Sequence, residues 1–357
     1  MKRNISKQHG MSIVELMISA TLGLMILNVT YGIYLAEIHT HKTSSAQAAI
    51  HSAENAISAL VTPVLRTAGF CACSSCLQAI SNLNPGGAPP LGDMQTNPSI
   101  VRGYNANGNA LSITQANPEN SHNTSQWTPT LHTSLQGFIV PGSDVITLIG
   151  GIPGTQAIGV TAPTTSSNAV FVQNSTASGI TAGGYAAISD CLKASIFRIT
   201  NISANSLSHI ASQGALNNTQ DILTEDYALG AQLAPLQQTA FFVAHSNGSQ
   251  SALMRATFNG TSWLVEPIVP GVENLQIQYG IGANGLITRY VNASAVTDWS
   301  AVYAVRLGFL IAGKSGSGSA KVNTIRTQTV LDNTVTTPMD NRLRHVFHMT
   351  IYLRNAS

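Results

Sequence analysis

The strongest constraint in this sequence is a run of 21 uncharged residues, Leu16 to Ala36, lying between Glu15 and Glu37. As a helix it is long enough to cross the roughly 30 Å hydrocarbon core of a bilayer. The nine residues before Gly10 carry Lys2, Arg3 and Lys7 and no acid. A basic start followed by an apolar run fits a secretory signal or a membrane anchor. The run is longer than a signal core, and no small-x-small cleavage site follows it; the small residue, Gly10, stands in front. The three leader cations predict a cytoplasmic N-terminus, with the bulk of the chain across the membrane. A plain anchor leaves Glu15 unexplained. A carboxylate well inside a spanning helix costs about 2.5–3.5 kcal/mol on insertion scales, so it needs a partner or a proton.

Gly10-Met11-x-x-x-Glu15 resembles the cleavage motif of type IV prepilins. The resemblance implies that a membrane peptidase cuts after Gly10 on the cytoplasmic side. Met11, standing where Phe is commoner, becomes the N-methylated first residue, and the helix stays in the membrane. Glu15 is then the fifth mature residue, the family's assembly glutamate. In a low-dielectric helix bundle its carboxylate attracts a neighbour's terminal amine far more strongly than in water. Major pilins tend to carry a helix-disrupting proline where this chain has Gly32. The segment around Gly23 and Gly32 is therefore expected either to loosen in a fibre or to let helices pack closely.

Charged residues make up only 9% of the 357 residues, against the usual quarter. That suits neither a nucleic-acid binder nor an acidic disordered chain. The formal charge is +2; losing Lys2, Arg3 and Lys7 leaves 14 basic residues against 15 acidic, so net charge supplies no strong steering. The four cysteines are Cys71, Cys73, Cys76 and Cys191. Across the membrane, an even count reads as disulfides, with three pairings open. The Cys73-x-x-Cys76 spacing also suits a metal, but a fourth ligand 115 residues after Cys76 is unlike a zinc ribbon.

Beyond the apolar run, Ala46, Ala49, Ile50, Ala53, Ile57, Leu60, Val61, Val64, Leu65 and Ala68 recur mostly at spacings of three and four. They predict one apolar helix face, so a single helix from about Ser12 to Ala68, with Pro63 bending its last turns and Gly69 closing it. Residues 80–135, rich in Asn, Pro, Gly, Ser and Thr, read as a long loop. Strands are predicted at 144–149, 169–173, 185–189, 196–200, 239–244, 252–258, 263–266, 274–279, 302–312, 321–330 and 343–353, with 313–318 as a hairpin-type loop. Leu275, Ile277 and Tyr279 alternate with Gln276 and Gln278, which predicts one buried face. Val305, Leu307 and Phe309 alternate in the same way.

The stretches Gly271-Val272-Glu273-Asn274-Leu275, Asp298-Trp299, Val302 to Leu307 and Asn341-Arg342-Leu343-Arg344-His345 resemble the PilW family of type IV pilus assembly proteins. Arg66-Thr67-Ala68-Gly69-Phe70 and Ser189-Asp190-Cys191 fit it too. Cys73 and Cys191 sit where that family tends to carry cysteine, which favours Cys73–Cys191 and leaves Cys71–Cys76. The fold expected is α+β and pilin-like, a long N-terminal helix packed on an antiparallel β domain. Its divisions are a leader (1–10), a membrane and assembly helix (11–36), the amphipathic half of that helix (37–69), a cysteine cluster with a polar loop insert (70–135), and a periplasmic β domain (136–357).

The resemblance implies a minor pilin that helps prime type IV pilus assembly and sits at or near the tip. It is expected in the inner membrane and the fibre, with other minor pilins, the major pilin, the assembly platform and the prepilin peptidase as partners. Alternatives are a minor pseudopilin of a type II secretion system, or an adhesin or DNA-uptake subunit using the 80–135 insert. That insert lacks the basic cluster that phosphate backbones need, so no nucleic-acid partner is expected.

No catalytic signature appears, and no enzyme, cofactor or metal is expected. His345 and His348 would face opposite sides of a strand, and His39 and His41 diverge on the helix, so all four read as surface histidines. Asp221, Glu225 and Asp226 lack the spacing of a calcium loop and read as a solvated loop. No serine sits in a nucleophile elbow, and no P-loop or dinucleotide fingerprint is present.

Overall fold

Ser12 opens a 55-residue helix, α1 (Ile13–Thr67), in a computed structural model that describes residues 12–107, 110–112, 123–165, 167–246, 250–314, 326–338 and 340–356. The leader residues Lys2, Arg3, Lys7, Gly10 and Met11 lie outside the described residues, as do most of the 313–318 loop and the first part of the 321–330 strand. The helix divides as its sequence does. From Ile13 to Leu35 the large apolar side chains are exposed, while Ala46, Ile50, Ala53, Ile57, Val61, Val64 and Leu65 are buried. Ala49 and Leu60 lie off that face, corrections to the apolar stripe.

The principal strands after the helix are β1 (Val101–Ala106), β2 (Val145–Gly151), β3 (Tyr185–Ser189), β4 (Ala194–Arg198), β5 (Gln232–Ser246), β6 (Gln250–Phe258), β7 (Trp263–Pro270), β8 (Val272–Ala283), β9 (Leu286–Val291), β10 (Val302–Ala312), β11 (Arg326–Val330), β12 (Asn333–Thr337) and β13 (Arg344–Tyr352). A ten-stranded sheet runs Ala79–Ser81, β4, β3, β5, β2, β1, Trp127–Thr128; β6 pairs with β5, β7 with β6, and Ile158–Gly159 with β5. A four-stranded sheet runs β9, β8, β10, β13. Pairing in both is antiparallel except between β4 and Ala79–Ser81. The helix face and the inner faces of the two sheets close one core, with Ile57, Leu148, Phe241, Leu275, Tyr279 and Leu307 among its members. The fold is thus α+β, with the long helix laid on antiparallel-rich sheets.

Two expectations fail. The stretch 80–135 is not all loop: β1 lies between β2 and Trp127–Thr128 in the large sheet, and Tyr104 and Trp127 are buried in a second core. Nor does β8 have a single buried face. Gln276 and Gln278 are also buried, because the β11–β12 hairpin covers them. Asn333 Nδ2 donates to Gln276 Oε1 at 2.6 Å, and Gln278 hydrogen-bonds Asp332. Gly308, opposite Gln276, lies under Val330 and Leu331. The alternation of apolar and polar residues is real, but the polar face is paired rather than solvated.

Candidate functional site

The helix head is where the sequence placed its chemistry. Ser12 adopts extended backbone as the N-cap, and its Oγ accepts from Val14 N–H at 3.4 Å. Glu15 Oε2 accepts from Ser12 N–H at 3.1 Å. Together they form a capping box, which satisfies donors that the first helical turn leaves free. The carboxylate therefore sits against the positive end of its own helix dipole. Along the apolar run, polar side chains turn inward on the helix: Ser19 Oγ donates to Leu16 C=O at 3.0 Å, Thr21 Oγ1 to Met17 C=O at 3.0 Å and Thr30 Oγ1 to Ile26 C=O at 2.9 Å. By length and composition this helix can cross a membrane, and none of its apolar window is buried against the rest of the chain.

The far end of the helix is tied down from three directions. Ala68 is the C-cap and Gly69 follows at φ +76°, where a Cβ would meet Asn355 C=O and Ile100 at 2.9 Å. Only glycine takes that turn without collision. Gly69 N–H donates to Ile149 C=O at 2.8 Å, joining helix end to β2, and a side chain at Gly150 would strike the Thr67 carbonyl. Asn355 Nδ2 donates to Ala68 C=O at 3.0 Å, while Ser75 Oγ donates to Asn355 C=O at 2.6 Å. The cysteines pair here as Cys71–Cys76 and Cys73–Cys191, with Cα–Cα distances of 5.1 and 4.9 Å. The second bridge joins the helix end to the turn between β3 and β4.

Between these ends, the helix meets β13 through a side-chain cluster. Glu54 Oε1 lies 2.6 Å from His345 Nδ1, and Glu54 Oε2 lies 2.9 Å from His51 Nδ1. His345 is exposed, as the sequence predicts, and it also links helix to sheet. His348 faces elsewhere: its Nε2 accepts from Leu331 N–H at 3.4 Å, and burial followed by the nearby charges of Arg306 and His345 lowers its pKa. His39 and His41 are exposed. Asp221 is exposed and accepts from Ala211 N–H at 2.7 Å, while Glu225 pairs with Lys193 at 2.9 Å rather than standing free.

Beside His345, Arg344 Nε lies 2.6 Å from Glu273 Oε2 and its NH2 2.7 Å from Asp340 Oδ2; Arg342 reaches Glu273 Oε1 at 3.1 Å. The side chains of Arg344, Glu273 and Asp340 are deeply buried, and that of Arg342 partly so. Burial works against the Arg344 charge, but hydrogen bonds to Asp340 and Glu273 more than compensate, and its pKa rises. Burial raises Asp340, yet Arg344 pulls it below the ordinary carboxylate range. Glu273, Arg342 and Arg344 come from the PilW-like stretches and are joined across β8 and β13. At the contact between the two sheets, Asp144 Oδ1 accepts from Ala106 N–H and Oδ2 from Ile277 N–H, each at 2.8 Å. Its burial pushes the carboxyl up to about 7 despite those two donors.

This arrangement holds, positions and presents a helix. Among the described residues, no group of His, Cys, Asp and Glu is placed to hold a metal.

Residues 240–355 match the family model described as Type IV Pilus-assembly protein W, PilW. The match runs from within β5 through β13 and takes in Glu273, Asp340, Arg344 and His345. Among solved structures, a type IV-like pilin from Thermus thermophilus is similar over 34% of this chain and 68% of its own, at 18% identity and a TM-score of 0.21. So low a score carries no argument, and the fold rests on the elements above. No curated protein matches the chain.

Proposed function

We propose, from the premise that its C-terminal region is of the PilW family, that this chain is a minor type IV pilin that helps prime fibre assembly and is built in at or near the tip. The observation that carries the reading is the continuity of α1. One helix runs from an apolar, unpacked half into a half buried against the PilW-type region. A unit of this form offers a membrane-held rod at one end and a folded head at the other.

In this reading a prepilin peptidase cuts between Gly10 and Met11, Met11 is N-methylated, and the leader cations keep that end cytoplasmic while the sheets lie in the periplasm. Glu15 guides docking of the helix into the growing fibre. Its partners are the major pilin, other minor pilins and the inner-membrane platform. The capping box sharpens the role of Glu15, since a new N-terminal amine from a neighbour competes for a carboxylate already held by Ser12 N–H.

Substitutions at Glu15 test this. Glu15→Ala is expected to be cleaved and inserted normally but to leave few surface pili by electron microscopy. Glu15→Gln keeps a side chain able to close the capping box but removes the charge. It is expected to fail as Glu15→Ala does. Normal piliation with Glu15→Gln would assign the residue to capping alone, and normal piliation with both would remove the assembly role.

A further inference from the structure

The apolar half of α1 contains one amide, Asn28. It lies 12 residues after Leu16 and 8 before Ala36, about 18 Å and 12 Å from the two ends at 1.5 Å per residue, near the middle of a bilayer. Ser19, Thr21 and Thr30 return their hydroxyls to carbonyls of their own helix. The Asn28 side chain is exposed, and it makes no hydrogen bond among the described residues. Among the described residues, nothing packs on this window. In water such an amide is solvated. In hydrocarbon it has two donors and an acceptor with nothing to pair, which is costly.

We infer that Asn28 pairs with Asn28 of a second copy of this chain in the membrane, before assembly. The inference rests on the membrane-anchored reading above but goes beyond it. A carboxamide is its own complement, since it donates and accepts through one planar group. All copies enter the bilayer in the same orientation, so parallel helices set residue 28 opposite residue 28 at the same depth. Gly32 and Ala36 follow at four-residue intervals and lie on the same helix face. A Cβ built on Gly32 meets nothing within 4 Å, so the backbone there is open to close approach. The amide supplies the directional contact, and the absent side chain lets the helices come near enough to make it.

The test uses the full-length protein labelled with a donor or an acceptor dye and reconstituted in phosphatidylethanolamine–phosphatidylglycerol vesicles. Energy transfer is followed as lipid dilutes the protein. Wild type is expected to show a concentration-dependent dimer. Asn28→Leu is expected to weaken it about 3- to 30-fold, the range that interhelical hydrogen bonds command in membranes. Asn28→Gln, which keeps the amide, should restore most of the association. Near-UV circular dichroism of each variant checks that the sheet domain is folded. Equal association of wild type and Asn28→Leu would overturn the inference, and so would a wild type that stays monomeric at every dilution. Either failure leaves the pilin reading standing, because that reading is tested by piliation.

Discussion

Asp144 is a buried residue through which stability depends on pH. In the unfolded chain its carboxyl titrates near the ordinary 3.8, and in the fold near 7. The group therefore contributes stability that is full below about pH 4 and drains away as pH rises towards 7, by up to about 1.4 kcal/mol per unit. Asp144→Asn removes that slope. It also replaces one acceptor by a donor facing Ala106 or Ile277 N–H, which costs about 1–3 kcal/mol. Urea unfolding at pH 5 and pH 8 should show the gap between wild type and variant narrowing at the higher pH; a constant gap would mean that Asp144 does not titrate in this window. Arg344 is the second residue on which the domain depends. Arg344→Ala leaves the buried carboxylate of Asp340 without its Arg344 partner and that of Glu273 with Arg342 alone, and should cost about 3–5 kcal/mol in denaturant unfolding.

At the scale of elements, two things hold the helix to the sheets, and their magnitudes differ. The His345–Glu54 pair has a half-exposed histidine, so His345→Ala should cost at most about 1 kcal/mol. Ile57 is fully buried, and Ile57→Ala should cost about 2–5 kcal/mol. Thermal unfolding of the solubilised protein separates the two, and a larger loss from His345→Ala would reverse the ranking. Replacing Cys73 and Cys191 together with serine should cost about 2–5 kcal/mol, because that bridge closes a loop 118 residues long.

Much of this level was legible in the sequence, since spacing alone marks Ile50, Ile57, Val61, Val64 and Leu65 as one face. Strand β1 was not. It reads Val-Arg-Gly-Tyr-Asn-Ala, and partners outside the strand accommodate Arg102 and Gly103. Arg102 pairs with Asp93 at 3.0 Å and lies over the Trp299 ring, while Gly103 makes room for Tyr279. The paired amides of β8 were hidden for the same reason, because Asn333 lies 57 residues from Gln276. The Arg344 cluster was visible as a family-like stretch but not as an ion pair, since Glu273 is 71 residues away. Local pattern reports the faces of elements; it does not report which distant element will cover them.

At the scale of the molecule, the long helix joins an apolar rod to a folded head through a tightly packed second half. The function proposed for this unit is pilus assembly. The most direct test deletes its coding sequence without disturbing its neighbours. Surface pili are then counted by electron microscopy, and protein secretion is assayed in the same strain. On that function, pili are lost, secretion is intact, and the wild-type chain restores pili. Intact pili would contradict it: with secretion lost, the unit would belong to a secretion pseudopilus, and with secretion also intact, to neither assembly.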